Sequence, residues 1–363
     1  MQVDSVESAG GRLGAVLSAP RSGVVALGGH GPWLTTTPAQ ARQVLTDVVH
    51  FDFPGDVSRS GDLSASRGET RSGHLTFAPL TPDEVARGVA TFADLWPDAV
   101  AAHDRDAPGE AYDAMALLRR PVARSTCDAL LGGASEAQRD LVAAGVLAWI
   151  DALAPVISAA RPPRRWSRAR RAEREARHGL EDALAQVDGL PGTPQQAATM
   201  LAAGIQVPIA AGSWLLAWLG SHQTYDVDPA HAAWETLRLT PPTWITARLT
   251  TTDVDLDGQR VPAGAVVLVS PLLLGRLGDL VPGDADGLPG FDPHRWRDDS
   301  RRPGAWLPFG AGPHACPGRN LGMAVLVHLA GWAIAHRVRL AREVKIDQSR
   351  GLAPLACRFT TNV

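Results

Sequence analysis

The sequence predicts a mainly α-helical protein with small β-sheets, and three observations carry that prediction. A capping side chain followed by proline, a helix-start signal, recurs at Thr81-Pro82, Thr193-Pro194 and Asp228-Pro229. Residues 189–225 contain no Asp, Glu, Lys or Arg, a length that suits a long helix buried on all sides. After residue 243 the pattern changes to short β-branched runs bounded by turn residues.

Taken in order, residues 23–37 read as a short hairpin around Gly28-Gly29, followed by a helix that starts near Pro38. At Thr81 the capping hydroxyl, the proline at the first helical position and the acids Asp83 and Glu84 open the next helix. Further helices are expected at about 110–132, 135–160 and 166–187, then the charge-free helix from Pro194. Another begins at Pro229 and must end before Pro241-Pro242, because proline cannot donate to the helix ladder. Asp257-Gly258 is a hairpin turn and Val266–Val269 a buried strand. Asp253 to Gly258 imitates the start of a calcium loop, but its twelfth position is Gly264 where a glutamate is needed, so it reads as a turn.

The 363 residues carry 35 basic and 38 acidic side chains, a net charge of -3 that gives no electrostatic footprint for nucleic acid. With 45% hydrophobic residues the chain can bury a large core, and no linker or repeat divides it, so one domain over 1–363 is expected. Lys345 is the only lysine, which leaves cationic recognition to planar guanidinium groups. Three cysteines (Cys127, Cys316, Cys357) cannot form a fully paired framework and include no zinc-type pair. The start Met1-Gln2-Val3-Asp4 lacks a signal-peptide pattern, and a cytoplasmic protein is expected. The charge-free stretch is long enough for a membrane span, but its flanking charges, Asp188 and Asp226, are acidic and it holds Gln195, Gln196, Gln206 and Pro208, which favours a buried helix and no membrane partner. Residues 161–177 hold eight arginines against Glu173 and Glu175, read as a solvated helix face, with an acidic docking surface as the alternative.

The segment that carries chemistry is Leu307-Pro-Phe309-Gly310-Ala-Gly312-Pro-His314-Ala-Cys316-Pro-Gly318-Arg319, which runs into an apolar helix from Asn320 to His336. A thiolate before a helix N-terminus is favoured by the dipole and the unpaired N–H groups, and the small residues let a flat ligand approach the backbone. A buried structural cysteine in a glycine-rich turn is the competing reading.

This loop resembles the cysteine loop of cytochromes P450, with Phe309, Gly312, Cys316 and Gly318 at its four fixed positions. The resemblance implies the cytochrome P450 fold, with haem between a distal helix and this proximal loop, and iron protoporphyrin IX (heme b) held by Cys316 as axial thiolate and metal ligand. Two upstream segments agree: Glu235-Thr-Leu-Arg238, and Phe291-Asp-Pro-His-Arg295, whose arginine joins that pair in a network supporting the haem core. By the same resemblance Arg248 and His314 are assigned to the haem propionates, with Phe309, Gly310 and Gly318 against the cofactor. The family's remaining propionate pair falls here on Glu69 and Gly73, which leaves Arg71 and His74 as substitutes.

The charge-free helix resembles the family's distal helix and departs from it. Where most members place an acid and then a threonine after the glycine, this chain has Gln206 and Val207 after Gly204, followed by Pro208. Valine cannot hydrogen-bond, and glutamine cannot relay a proton as an acid does. Pro208 is expected to open the helix and free the Gly204 carbonyl for a water. Gln206 is expected to face substrate, with Ala203 and Trp244 lining the pocket and Trp214 packing in the core.

The resemblance implies a tailoring monooxygenase of secondary metabolism acting on a small molecule, fed by an external ferredoxin and ferredoxin reductase because no such domain is fused. The departures leave open a peroxide-using enzyme, with hydrogen peroxide as oxidant, or a coupling or cyclising one. They also leave open a haem protein with little turnover, or a non-catalytic helper, which generally lacks the cysteine kept here. A monomer is expected.

Overall fold

The computed structural model describes residues 2–29, 31–53, 76–159, 161, 163–190, 192–284, 287–347 and 351–362. Most of its helices begin where the capping chemistry directs. After α1 (Gly11–Leu17) come the hairpin strands β1 (Val24–Ala26) and β2 (Trp33–Thr35), then α2 (Pro38–Thr46), capped by Thr37. A short strand, β3 (Phe51–Asp52), follows. Thr81 makes a reciprocal capping box with Glu84 at the head of α3 (Pro82–Asp106), its side chain accepting from the Glu84 N–H while the Glu84 carboxylate accepts from the Thr81 N–H.

The helix expected at 110–132 is α4 (Ala114–Leu130). It starts late because Tyr112–Asp113 are spent as β4, paired with the last strand of the chain. Ser135 forms a second capping box, with Gln138, on α5 (Glu136–Ile157), Ser167 caps α6 (Arg168–Leu184), and Thr193 forms a third, with Gln196, on α7 (Pro194–His222). Asp228 caps α8 (Pro229–Leu239).

Beyond α8 the β-branched runs become β5 (Thr246–Thr250), β6 (Val254–Leu256), β7 (Gln259–Val261) and β8 (Val266–Val269), followed by the one-turn α9 (Pro271–Leu274). Asp257 and Gly258 between β6 and β7 both take positive φ, 57° and 81°, the pairing a two-residue type I′ hairpin requires. The main sheet has the order β1-β2-β8-β5-β3, with β5 and β8 antiparallel in the register Arg248 to Val267. Helix α10 (Arg319–Ala335) and strands β9 (Arg339–Leu340), β10 (Ile346–Asp347), β11 (Ala353–Pro354) and β12 (Arg358–Thr360) complete the chain.

Two hydrophobic clusters result. The helical one joins α3, α4, α5, α7, α8 and α10 around Trp96 and Trp214; the other lies under the main sheet and includes Trp244, Trp296 and Trp306. Helices α5 and α7 are each long and apolar enough to cross a membrane by length and composition. In α7 every residue from Ile209 to Gly220 is buried, against α4, α8 and α10, whereas the first half alternates between buried and open positions. The expectation of a helix covered on all sides thus holds for half of it, and the open half faces the cavity described next.

Candidate active site

A cavity of about 710 Å³ separates the first half of α7 from the loop that precedes α10. The loop is shaped by residues in the left-handed region: Leu307 (φ 61°), Gly310 (φ 70°) and Gly312 (φ 70°). At Gly312 the glycine is doubly required, because a Cβ would also stand 2.8 Å from the carbonyl oxygen of Leu45 on α2. The Cys316 N–H donates to the Phe309 carbonyl at 2.9 Å and closes the loop, and the Leu80 N–H donates to Pro317 at 3.1 Å, tying the approach to α3 onto it.

Cys316 is exposed, and it borders the cavity; Cys127 and Cys357 are buried away from it. Burial pushes the Cys127 thiol up to about 12 and raises that of Cys357 as well, which leaves both inert. Burial also raises the Cys316 thiol, while the Gly318 N–H and the Arg319 charge act in the opposite sense. The helix-terminus effect argued from sequence is therefore present but smaller than desolvation; coordination by a metal ion reverses that balance by deprotonating the thiol outright.

The cavity also receives Arg248 from β5 and His314 from the loop. The Arg248 guanidinium lies 3.9 Å over the Phe53 ring, and His314 meets the same ring edge-on at 4.7 Å, so Phe53 spaces the guanidinium and the imidazole at one end of the cavity. Arg248 is 5% exposed, donates to Thr246 Oγ1 and the Ala247 carbonyl, and has no salt bridge among the described residues. Its burial pulls the guanidinium down to about 10, with Asp52 acting the other way.

A flat dianion fits this donor set on two counts. A buried guanidinium without a carboxylate partner calls for an anion. Gly318 and Gly322, both on the cavity wall, have nothing within 4 Å of where a Cβ would stand, which leaves their backbone open to a planar face.

Behind the loop, the network expected from Glu235, Arg238 and Arg295 is present and buried. Glu235 accepts from Arg238 at 2.6 and 2.9 Å, from Arg295 Nε at 3.0 Å and from the Asp292 N–H at 3.0 Å. Trp296 Nε1 adds a fourth donor at 3.0 Å that sequence reasoning missed. The two arginines spend their other N–H groups on the carbonyls of Gly275, Leu288, Gly290, Pro282 and Gly287.

The distal wall corrects several expectations. Gly204, Val207 and Pro208 border the main cavity, as does Ala203. Gln206 does not; it lines a second cavity of about 300 Å³ between α5, α6 and α7, because it sits one helical step round from Ile205 and Val207. Trp244 is buried in the sheet-side core, and Thr243 and Thr246 line the cavity in its place. Trp214 packs in the helical core as expected, its indole N–H bonded to the Leu352 carbonyl at 3.1 Å. Helix α7 runs unbroken through Pro208, and the Gly204 carbonyl accepts from Thr126 Oγ1 at 3.3 Å, so the freed carbonyl meets a protein hydroxyl where a water was expected. Arg71 and His74 lie outside the described residues.

Arg177, expected on a solvated face, borders both cavities, bonded through Nε to Glu181 at 2.7 Å and lying 6.0 Å over Trp149. The signal was available: Glu173, Arg177 and Glu181 share one helix face, and both acids are buried.

The family model for cytochrome P450 matches residues 231–335. Among curated proteins, cyclooctat-9-en-7-ol 5-monooxygenase of Streptomyces melanosporofaciens is 39% identical over 109 residues, 29% of this chain and 23% of that protein, so the match spans about a quarter of the relative's length. Among solved structures, the post-tailoring hydroxylase HmtN of himastatin biosynthesis superposes with a TM-score of 0.65 at 22% identity, over 94% of each chain. The open cytochrome P450 Eryk from S. erythraea gives a TM-score of 0.67 at 19% identity over 94% of this chain and 92% of that one. The chain thus resembles cytochromes P450 in sequence over residues 231–335, and it shares the fold of the solved cytochrome P450 structures over nearly its whole length.

Proposed function

We propose that the protein is a haem-thiolate monooxygenase, a single cytoplasmic domain that tailors a small organic molecule of secondary metabolism with electrons from a separate ferredoxin and ferredoxin reductase. The observation that carries this reading is the meeting of Cys316, Arg248 and the open half of α7 in one cavity. Heme b bound there would supply dioxygen activation at a thiolate-ligated iron. Cys316 would hold the metal, while Arg248 and His314 would hold the propionates, with Arg71 and His74 proposed as further donors. Phe309, Gly310 and Gly318 border the space the macrocycle would take, and Val207 and Ala203 would present apolar side chains to it from α7. The names of the cyclooctat-9-en-7-ol monooxygenase and the himastatin hydroxylase support tailoring as the substrate class.

One observation favours a second reading, a peroxide-using or coupling enzyme: Val207 brings no hydroxyl to the cavity, and Gln206 is turned into the neighbouring one. Hydrogen peroxide arrives already reduced and protonated, so it needs no acid on the helix. Rapid mixing of the ferric protein separates the two. A ferredoxin-reductase pair is expected to reduce it, and hydrogen peroxide to bleach it without sustained oxidation of a generic aromatic donor. Sustained peroxide-driven oxidation of that donor contradicts the monooxygenase reading and supports the second.

A further inference from the structure

In an α-helix each carbonyl is served by the N–H four residues on, and Pro208 has none to offer Gly204. The ladder of α7 nevertheless continues on both sides. The donor comes from another helix: Thr126 Oγ1 of α4 stands 3.3 Å from the Gly204 oxygen and 2.9 Å from the Val122 oxygen of its own helix. A hydroxyl carries one proton, so the two carbonyls share it, and its lone pairs stay available to a third group.

Thr126 is 5% exposed and borders the cavity that Cys316 opens into. Its approach depends on glycine at 204, where a Cβ would stand 3.3 Å from Thr126 Cγ2. On this wall Ser125 donates to the Gly88 carbonyl at 2.7 Å, and Thr199 donates to the carbonyl four residues before it at 3.0 Å as Thr126 does, but of the three only Thr126 also reaches the Gly204 carbonyl. Val207, on the same wall, is apolar.

We propose that Thr126 is the positioning residue of the distal helix: from α4 it holds the Gly204 carbonyl that Pro208 leaves without a donor, and it presents to a ligand bound over Cys316 the hydroxyl that Val207 lacks. This deepens the haem-thiolate reading, and its first test stands without it.

Amide hydrogen exchange on the purified full chain compares Thr126→Val, Thr126→Ser, Pro208→Ala and the double variant Thr126→Val/Pro208→Ala. Thr126→Val keeps the shape and removes the donor, and exchange across residues 200–212 is expected to quicken roughly tenfold, the scale of a buried carbonyl left unpaired. Thr126→Ser keeps the hydroxyl and is expected to stay within about twofold of the parent protein. Pro208→Ala restores a backbone donor to Gly204, so the double variant is expected to exchange like Pro208→Ala alone. A Thr126→Val effect of full size in the Pro208→Ala background overturns the proposal, as does no effect at all. Should Thr126→Val not fold, Thr126→Ala closes the same cycle.

The second readout is the optical spectrum of the ferric haem protein, expected to be displaced in Thr126→Val and restored in Thr126→Ser. Quickened exchange with an unmoved spectrum overturns the ligand-facing half. A chain that binds no haem overturns the haem-thiolate reading and that half with it, while the exchange comparison still decides the rest.

Discussion

Arg248 holds a guanidinium on a buried strand with no salt bridge among the described residues, an arrangement that an anion would complete. Its guanidinium offers a planar fork to a carboxylate, which a lysine ammonium does not. Arg248→Gln is expected to weaken hemin binding to the apoprotein by about 2 kcal/mol, roughly 30-fold in Kd, with Arg248→Lys recovering part of the loss. Titration of hemin by absorbance checks this, and an affinity unchanged by Arg248→Gln would place the anion-binding function elsewhere. Arg248 was marked by the resemblance of its segment to the family's propionate strand, and in the structure alternation along β5, paired in fixed register with β8, buries it. Trp244 escapes that logic. It precedes the first strand residue, Thr246, so strand alternation does not reach it, and its carbonyl is instead held by Ser270 Oγ at 2.7 Å.

Between elements, Glu235 is the junction. It sits on α8, yet three of its donors come from the 292–296 segment, and Arg238 carries the same junction onward to carbonyls 37 to 52 residues away. Spacing in the sequence exposed the Glu235–Arg238 pair, and the resemblance added Arg295; Trp296 and the carbonyl acceptors become neighbours only when the loop after α9 folds back. Removing one member of a buried ionic network strands the others, so Glu235→Ala is expected to lower unfolding stability by about 3–5 kcal/mol in urea denaturation. A loss under about 1 kcal/mol, the range of an exposed pair, would contradict the role given to this junction.

Across the whole molecule, the helices were legible because their ends are written in short-range chemistry. Thr81, Thr193 and Asp228 each cap the helix their proline announces. What faces the cavity was less legible, because a helix position is assigned to a wall by its neighbours in space. Gln206 and Val207 differ by one residue and about 100° of rotation, and the packing of α5 and α6 sends one into the second cavity and leaves the other on both walls. Thr126 lies some eighty residues before the carbonyl it serves, a contact no local pattern announces.

On the proposed reading Cys316 would hold a haem in this cavity as its thiolate ligand. The measurement that tests it most directly is the absorption spectrum of the reduced, CO-bound protein beside its Cys316→His variant. The account predicts the red-shifted band of a thiolate-ligated haem in the parent protein and its replacement by an imidazole-type band in the variant with haem retained. A parent protein without that band, or a variant that keeps it, would contradict the account.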